Sequence, residues 1–108
     1  MTISQRRDRL RQRLADVDLD ALLVTDLVNV HYLSGFTGSN AALLIRVEDA
    51  TPILATDGRY RTQAAHQSPD AELGIERACG PHLAGRAACD GMRRLGFESH
   101  VVTVDAYT

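Results

Sequence analysis

The sequence of 108 residues has no excess of basic charge and no long apolar segment. No run approaches the roughly 18 apolar residues of a membrane-spanning helix. The formal net charge of -2 at pH 7 gives no general attraction to nucleic acid or to an anionic membrane. The N-terminus lacks the pattern of a secretory signal, so we expect a cytoplasmic protein. With 44% hydrophobic residues, the chain is long enough for one compact domain and too short for two.

Recognisable catalytic and metal-binding motifs are also missing. A metal site needs converging ligands, but the histidines stand alone on different predicted elements, and neither H-E-x-x-H nor C-x-x-C occurs. A G-x-S-x-G nucleophile elbow and a phosphate-binding P-loop are both absent. Cys79 and Cys89 are expected to be reduced thiols, because a single pair in a chain without a secretory signal is rarely a disulfide. We therefore expect no catalytic residue and no metal ligand in this chain.

An amphipathic helix is predicted from about residue 3 to residue 16. Thr2 and Gln5 have the spacing of a capping box, and the apolar residues that follow recur at helical intervals. Five arginines between Arg6 and Arg13 lie in this segment. They could form a nucleic-acid patch, but no aromatic residue is interleaved to stack on a base, and acidic residues follow closely. A solvated helix face is the favoured interpretation.

The rest of the chain alternates between strand-like and helical segments. Five segments have the composition of strands, namely Ala21–Thr25, Ala41–Val47, Ile53–Ala55, Ala71–Glu76 and Phe97–Val104. The second and third should form an antiparallel hairpin, because polar and proline turn residues join them. One further helix is predicted from about Arg59 to His66, and another starts at Gly80-Pro81 and is stopped by Gly96. This order predicts a three-layer α/β domain with a mixed sheet of about five strands.

The segment from Asp26 to Asn40 separates the first two strands with a short helical turn and a glycine-containing loop. Gly35, Gly38 and the later Gly58 allow backbone conformations that other residues avoid. The polar side chains of the loop either satisfy its own backbone or bind a ligand, and the residues alone leave both possibilities open. Those side chains belong to Ser34, Thr37, Ser39 and Asn40.

Two pairs of residues near this loop carry further expectations. Tyr32 and Phe36 are four apart, as neighbours on one helix face are, and are expected to anchor the core. Arg59 and Arg61 begin a helix, where the helix dipole disfavours a cation. At least one of these arginines should therefore have a carboxylate partner.

Five short motifs together resemble a known family. They are Asp20–Thr25, Asn29–Phe36, Thr37–Asn40, Thr56–Tyr60 and Gly96–Glu98. In this order and at this spacing, they closely resemble the N-terminal domain of the creatinase/prolidase/aminopeptidase P family, over essentially the whole chain. The resemblance implies a ribonuclease-H-like α/β fold for a single domain, residues 1–108. It also implies that the domain is truncated at its C-terminal end and that the catalytic "pita-bread" domain is absent.

The resemblance implies a function outside catalysis. The chain would be the non-catalytic N-terminal domain of a cytoplasmic Xaa-Pro metallopeptidase, of dipeptidase or aminopeptidase P type, and inactive alone. Two divalent metal ions (Mn, Co or Zn) would be bound by the missing catalytic domain, whose ligands are two Asp, one His and two Glu. The implied partners are that catalytic domain, a second subunit in a homodimer, and a proline-containing peptide substrate. Neither nucleic acid nor a membrane is an expected partner.

The resemblance also implies a role for the loop as part of the substrate-pocket wall. The residues expected there are His31, Tyr32, Phe36, Ser39, Asn40, Arg59 and Tyr60. Creatinase-type members carry an aromatic residue and an arginine in this loop, and Thr37–Asn40 has neither, which favours a peptidase. The alternative is the N-terminal domain of a peptidase-like protein that has lost its metal ligands and binds peptides or proteins. Presence of the five ligands downstream would indicate the enzyme.

Overall fold

The computed structural model describes residues 2–97, in which helices and strands alternate. In chain order the elements are α1 (Ile3–Asp16), β1 (Ala21–Val24), α2 (Leu27–Ser34), β2 (Ala41–Arg46), β3 (Ile53–Thr56), a 3₁₀ turn (Gly58–Tyr60), α3 (Arg61–Gln67), β4 (Glu72–Ile75), α4 (Cys79–Cys89) and β5 (Leu95–Phe97). No helix within this part of the chain is both long and apolar enough to cross a membrane.

Side-chain caps define the first two helices. The predicted capping box is confirmed, because Thr2 Oγ1 accepts from the amide of Gln5 at 3.1 Å and Gln5 Oε1 accepts from the amide of Thr2 at 2.9 Å. The helix α2 has eight residues, more than the short helical turn expected there. Asp26 caps its start by accepting from the amide of Val28 at 3.0 Å. Gly35 ends it with a φ of 81°, as the left-handed position after a helix requires.

The five strands form one mixed sheet in the order β4-β3-β2-β1-β5. The predicted hairpin of β2 and β3 is confirmed, with Leu43 opposite Leu54. The strand β1 is antiparallel to β2 and parallel to β5, and β4 is parallel to β3. The strand β2 is therefore central and buried on both faces, which explains its continuous apolar sequence.

Helices cover both faces of the sheet, so the predicted three-layer α/β architecture is confirmed. On one face, Leu43 and Ile45 of β2 pack with residues of α1, α2 and α3, among them Leu33. On the other face, the alternate residues Ala42 and Leu44 pack against α4. This alternation is the period of two expected of a strand that lies between two layers.

The end of α4 and the last strand differ from prediction. The helix ends at Cys89, not at Gly96, and the glycine just beyond its end is Gly91, with a φ of 79°. Gly96 instead lies inside β5, where a Cβ atom would be 2.8 Å from Leu19 Cδ1. Its small size therefore permits close packing. Of the predicted strand from Phe97 to Val104, only its first residue belongs to the described part, where it ends β5.

The arginines of α1 are not simply a solvated face, as expected. Arg7 is buried, donates to the carbonyl of Leu33 at 2.9 Å and pairs with Asp70. Arg11 donates to the carbonyl oxygens of Arg46, the last residue of β2, at 2.9 Å and of Val47, the residue after it, at 2.8 Å. The solvated-face interpretation is therefore wrong for these two residues. Their guanidinium groups tie α1 to α2 and to the sheet.

Candidate functional site

The loop that follows α2, residues 35–40, folds over the ring of Phe36. This ring is 1% exposed and packs in the cluster beneath α1, α2 and α3, so its predicted role as a core anchor is confirmed. A Cβ atom at Gly38 would lie only 2.2 Å from Phe36 Cζ. Gly38 is therefore required because the chain passes directly over the ring. Its φ is not positive, so the left-handed region is not the reason.

The first half of the loop is held by side chains of α3 and by the serine that follows this helix. The side-chain oxygen of Gln67 accepts from the amide of Thr37 at 3.0 Å, and Ser68 Oγ donates to the carbonyl of Ser34 at 2.8 Å. The side-chain amides of Gln63 and Gln67 each donate to Thr37 Oγ1 at 3.0 Å. These bonds satisfy groups of the loop that would otherwise need water. Two glutamines from one helix thus fix the position of Thr37.

The second half of the loop ends in a polar corner built around Asp57. This buried carboxylate accepts from Asn40 Nδ2 at 3.0 Å, and from Arg59 through both Nε and Nη2 at 2.9 Å. It also caps the 3₁₀ turn, since Asp57 Oδ1 accepts from the amide of Arg59 at 3.0 Å. The carboxylate partner expected for Arg59 or Arg61 is thus found for Arg59, two positions away in sequence.

The hydrogen bonds in this corner shift the ionisation of both partners. The bonds from the Arg59 side chain, followed by the bond from Asn40, hold the pKa of Asp57 far below its usual value. The hydrogen bond to Asp57 in turn raises the pKa of Arg59. Both groups are therefore charged at neutral pH, and the carboxylate is not available as a general base.

Tyr60 connects the loop to this corner. Its hydroxyl lies 2.7 Å from Ser39 Oγ, and its ring meets the ring of Phe36 edge-on, with centroids 5.7 Å apart. The guanidinium of Arg59 lies 5.1 Å from the centre of the Tyr60 ring, in a cation–π contact. The hydrogen bond with Ser39 lowers the pKa of Tyr60. One aromatic side chain therefore contacts three residues of the candidate site.

An open cleft of about 550 Å³ lies beside the corner. Its lining residues are Asn40, Asp57, Gly58, Arg59 and Arg77. Asn40 Nδ2 also donates to the carbonyl of Arg77 at 3.2 Å, which fixes the backbone before α4. Below it, the buried thiol of Cys79 donates to the carbonyl of Glu76 at 3.0 Å, and burial raises the pKa of this thiol. Cys79 is thus a structural residue and not a reactive nucleophile.

The structure brings together five of the seven residues expected in the pocket wall. Ser39, Asn40, Arg59 and Tyr60 share the corner, and Phe36 lies beneath them. The other two, His31 and Tyr32, lie exposed on α2. Tyr32 is 52% exposed with Arg6 over its ring at 4.4 Å, so its predicted place in the core is wrong. The helix α2 presents this side chain to solvent.

The expectation that Gly35, Gly38 and Gly58 adopt backbone conformations that other residues avoid is partly wrong. Within residues 2–97, positive φ occurs in glycine only at Gly35 and Gly91, so Gly58 does not need the left-handed region.

Three residues of the candidate site, Gln63, Gln67 and Arg77, were not anticipated from the sequence. Their positions follow from helix packing and carry no local sequence signal.

The site has the groups to hold ligands by hydrogen bonding and charge. It has no paired nucleophile and base like those of a hydrolase. Among residues 2–97 there is also no group of three or more His, Cys, Asp or Glu side chains that could hold a metal ion. The described residues therefore do not fit the two-metal centre that the resemblance places elsewhere.

Comparison with known proteins identifies the relatives of this chain. A solved structure of the N-terminal domain of the cytoplasmic peptidase PepQ from Mycobacterium tuberculosis is 60% identical, with a TM-score of 0.91, over 95% of this chain and 79% of that one. The Xaa-Pro dipeptidase from Bacillus anthracis is 26% identical, with a TM-score of 0.84, over 98% of this chain and 30% of that one. An uncharacterised peptidase of Bacillus subtilis, YqhT, is 34% identical over 93% of this chain.

These relatives fix the place of the chain within a larger class of proteins. It spans 28% of the length of the B. subtilis relative. The family model of the creatinase/prolidase N-terminal domain matches residues 6–108. The described residues of the motifs on which the resemblance depended lie in and beside β1, α2, the loop, the corner and β5. The chain therefore belongs to the creatinase/prolidase N-terminal domain family, the N-terminal domain of Xaa-Pro peptidases.

Proposed function

We propose that this chain is the non-catalytic N-terminal domain of a cytoplasmic Xaa-Pro metallopeptidase. In that enzyme it contributes to a homodimer interface and to the wall of the substrate pocket. Two divalent metal ions, Mn, Co or Zn, would be held by a separate catalytic domain, where they would supply an activated water for hydrolysis of the peptide bond. Two observations favour metal binding by a separate domain. They are the family to which the chain belongs and the lack of a metal-ligand cluster in residues 2–97.

The main support for a pocket-wall role is the fixed shape of the loop. Gln67 holds its first half at Thr37, and Asp57 holds its end at Asn40. Between these points, Ser39 is exposed and is joined to Tyr60 by a single side-chain hydrogen bond. A loop held in this way presents its polar groups with little entropy left to lose when a ligand binds. This is the property required of a surface that positions a substrate.

The outer face of α2 supports a second, separate contact surface. Val28 and Tyr32 are large apolar side chains that are 74% and 52% exposed, and His31 is exposed between them in sequence. Large apolar residues that neighbour one another on a helix surface are typical of sites that another protein surface covers. We assign this face to the subunit or domain contact and the corner with Ser39 to the pocket.

The pocket-wall role is tested in a polypeptide that joins this chain to its catalytic domain. Ser39→Ala and Tyr60→Phe each remove one side of a single exposed hydrogen bond. Each also removes a hydroxyl that the pocket wall would offer to the substrate, so both variants are expected to raise KM or lower kcat for a Xaa-Pro dipeptide about fivefold, the effect of one hydrogen bond. Melting temperature should change little, because the bond between Ser39 and Tyr60 is exposed. Thr62→Ala, at an exposed position of α3, is the control and should match wild type.

Two further measurements test the rest of the proposal. The chain alone, supplied with Mn²⁺, should not hydrolyse glycyl-proline, whereas the joined polypeptide should do so and lose activity in a chelator. Hydrolysis by the chain alone would contradict the proposal. A joined polypeptide that binds proline peptides but neither binds metal nor cleaves them would indicate the peptidase-like binding protein instead.

A further inference from the structure

We propose that the cleft beside the corner is a binding site for a carboxylate anion, formed by the guanidinium groups of Arg59 and Arg77. Both residues line the same cleft of about 550 Å³, together with Asn40, Asp57 and Gly58. The proposal concerns a ligand of this chain itself. It holds whether or not the chain works with a catalytic domain.

Arg59 is positioned rigidly although most of its side chain faces solvent. Its side chain is 70% exposed, while Nε and Nη2 both donate to the buried carboxylate of Asp57. The Tyr60 ring packs against the same guanidinium. A guanidinium has five N–H groups, so pairing one edge with Asp57 leaves other donors available on the solvent side. The group is thus already ordered before a second anion arrives.

Arg77 has the opposite arrangement, with a fixed backbone and an unpaired side chain. Its carbonyl accepts from Asn40 Nδ2 at 3.2 Å, and its amide donates to Glu76 Oε1 at 2.9 Å. Within residues 2–97, no hydrogen bond or ion pair involves the Arg77 guanidinium. No described residue therefore occupies its three side-chain nitrogens, which can bind a ligand in the cleft.

The charges around the cleft favour a small anion over a cation. The lining contains one carboxylate and two guanidinium groups, and the carboxylate is fully engaged by Arg59 and Asn40. Among residues 2–97, the positive charge of Arg77 is therefore left without a partner. A guanidinium donates paired N–H bonds that match the two oxygens of a carboxylate, so a carboxylate is the ligand class that we assign to the cleft.

The test is an NMR titration of the full chain with three probes: acetate, glycyl-proline and glycyl-proline amide. Acetate and glycyl-proline should shift the backbone amide signals of Asn40, Gly58 and Arg77 saturably, with a Kd on the order of 1 mM. This is typical of an open site with few contacts. Glycyl-proline amide should not cause these shifts. Tighter binding of glycyl-proline than of acetate would identify a peptide C-terminus as the source of the carboxylate, and equal binding a free acid.

Two substitutions with equal charge change separate this site from general attraction of anions. Arg77→Gln should weaken acetate binding about threefold to fivefold, the effect of one exposed ion pair. Arg61→Gln, at an exposed position outside the cleft, should leave it unchanged. Arg59→Lys keeps the charge but loses the paired donors, and should also weaken binding. Equal binding of the amide, or equal weakening by Arg61→Gln, would overturn the proposal. These results do not depend on peptidase activity.

Discussion

The ring of Phe36 lies against Gly38 so closely that a Cβ atom there would come within 2.2 Å of Cζ and 2.6 Å of Cε2. The ring cannot move aside easily, because it is 1% exposed and its edge contact with Tyr60 lies in the same packed region. The path of the loop and the packing of the core are thus one arrangement. A change in either must alter the other.

Gly38→Ala is therefore expected to lower the free energy of unfolding by about 1–3 kcal/mol, the usual cost of adding a methyl group to a packed site. Gly85→Ala is the matched control, since, apart from its chain neighbours and the backbone of its own helix α4, no atom lies within 4 Å of its added Cβ. There the same change should raise stability by up to about 1 kcal/mol, because alanine favours a helix. Urea unfolding at equilibrium measures both. If Gly38→Ala lowered the free energy of unfolding no more than Gly85→Ala does, the loop would be shown to move freely.

Gln67→Ala should loosen the loop without unfolding the domain. The variant removes the acceptor for the amide of Thr37, which Gln67 Oε1 now bonds at 3.0 Å. One lost hydrogen bond is worth about 1 kcal/mol, so exchange of the Thr37 amide with solvent deuterium should become about fivefold faster. Gln63→Ala is the control, because it removes the bonds from Gln63 Nε2 to Thr37 Oγ1 and to Gln67 Oε1 but leaves the Thr37 amide bonded to Gln67 Oε1. Equal exchange in the two variants would contradict the role of Gln67.

The ion pair of Asp57 and Arg59 predicts a specific loss of stability in acid. The pKa of Asp57 is lowered in the folded protein, chiefly by hydrogen bonds from Arg59 and then from Asn40. The unfolded chain therefore takes up its proton first as the pH falls. The stabilising contribution is complete above about pH 4, the usual pKa of an aspartate. It disappears as the pH falls further toward the folded pKa.

Asp57→Asn should accordingly flatten the fall in the free energy of unfolding below about pH 4. Asp20, Asp49 and Glu72 also have lowered pKa values, so part of the acid dependence should remain. Arg59→Gln should flatten the curve in the wild-type background and have no such effect in the Asp57→Asn background. Chemical unfolding at a series of pH values measures these slopes. An additive effect of the two substitutions would show that the pair does not act as a unit.

Much of the fold could be predicted because its strongest signals are local. The capping box at Thr2 and the apolar runs of β1 and β2 depend on neighbouring residues alone. The prediction of where α4 ends was wrong, because two glycines, Gly91 and Gly96, satisfy the same rule for a helix stop. Which one acts depends on the pairing of Leu95 with Ala21, far away in sequence. The prediction that Tyr32 lies in the core was wrong for a similar reason. The spacing of residues shows which of them share a helix face, but it does not show whether another element covers that face.

The candidate site was predictable where its residues are close in sequence. The loop motif and the Thr56–Tyr60 motif drew attention to Ser39, Asn40 and Arg59. The contacts that join them were not predictable, because they cross between elements. Gln67 reaches Thr37 only because α3 packs beside the loop, and Arg77 meets Asn40 only because α4 begins there. Glutamine and arginine are ordinary surface residues, and their type alone gives no warning of such a contact.

The strand order also has a consequence for folding during synthesis. The strands β1, β2 and β3 are consecutive and antiparallel, so they can pair as soon as they leave the ribosome. The outer edge of β1, however, pairs only with β5, the last strand of the described chain. Until Leu95–Phe97 has been made, the nascent domain has an uncovered strand edge, a recognised starting point for aggregation. We expect nascent chains that stop before β5 to engage chaperones more than chains that include it.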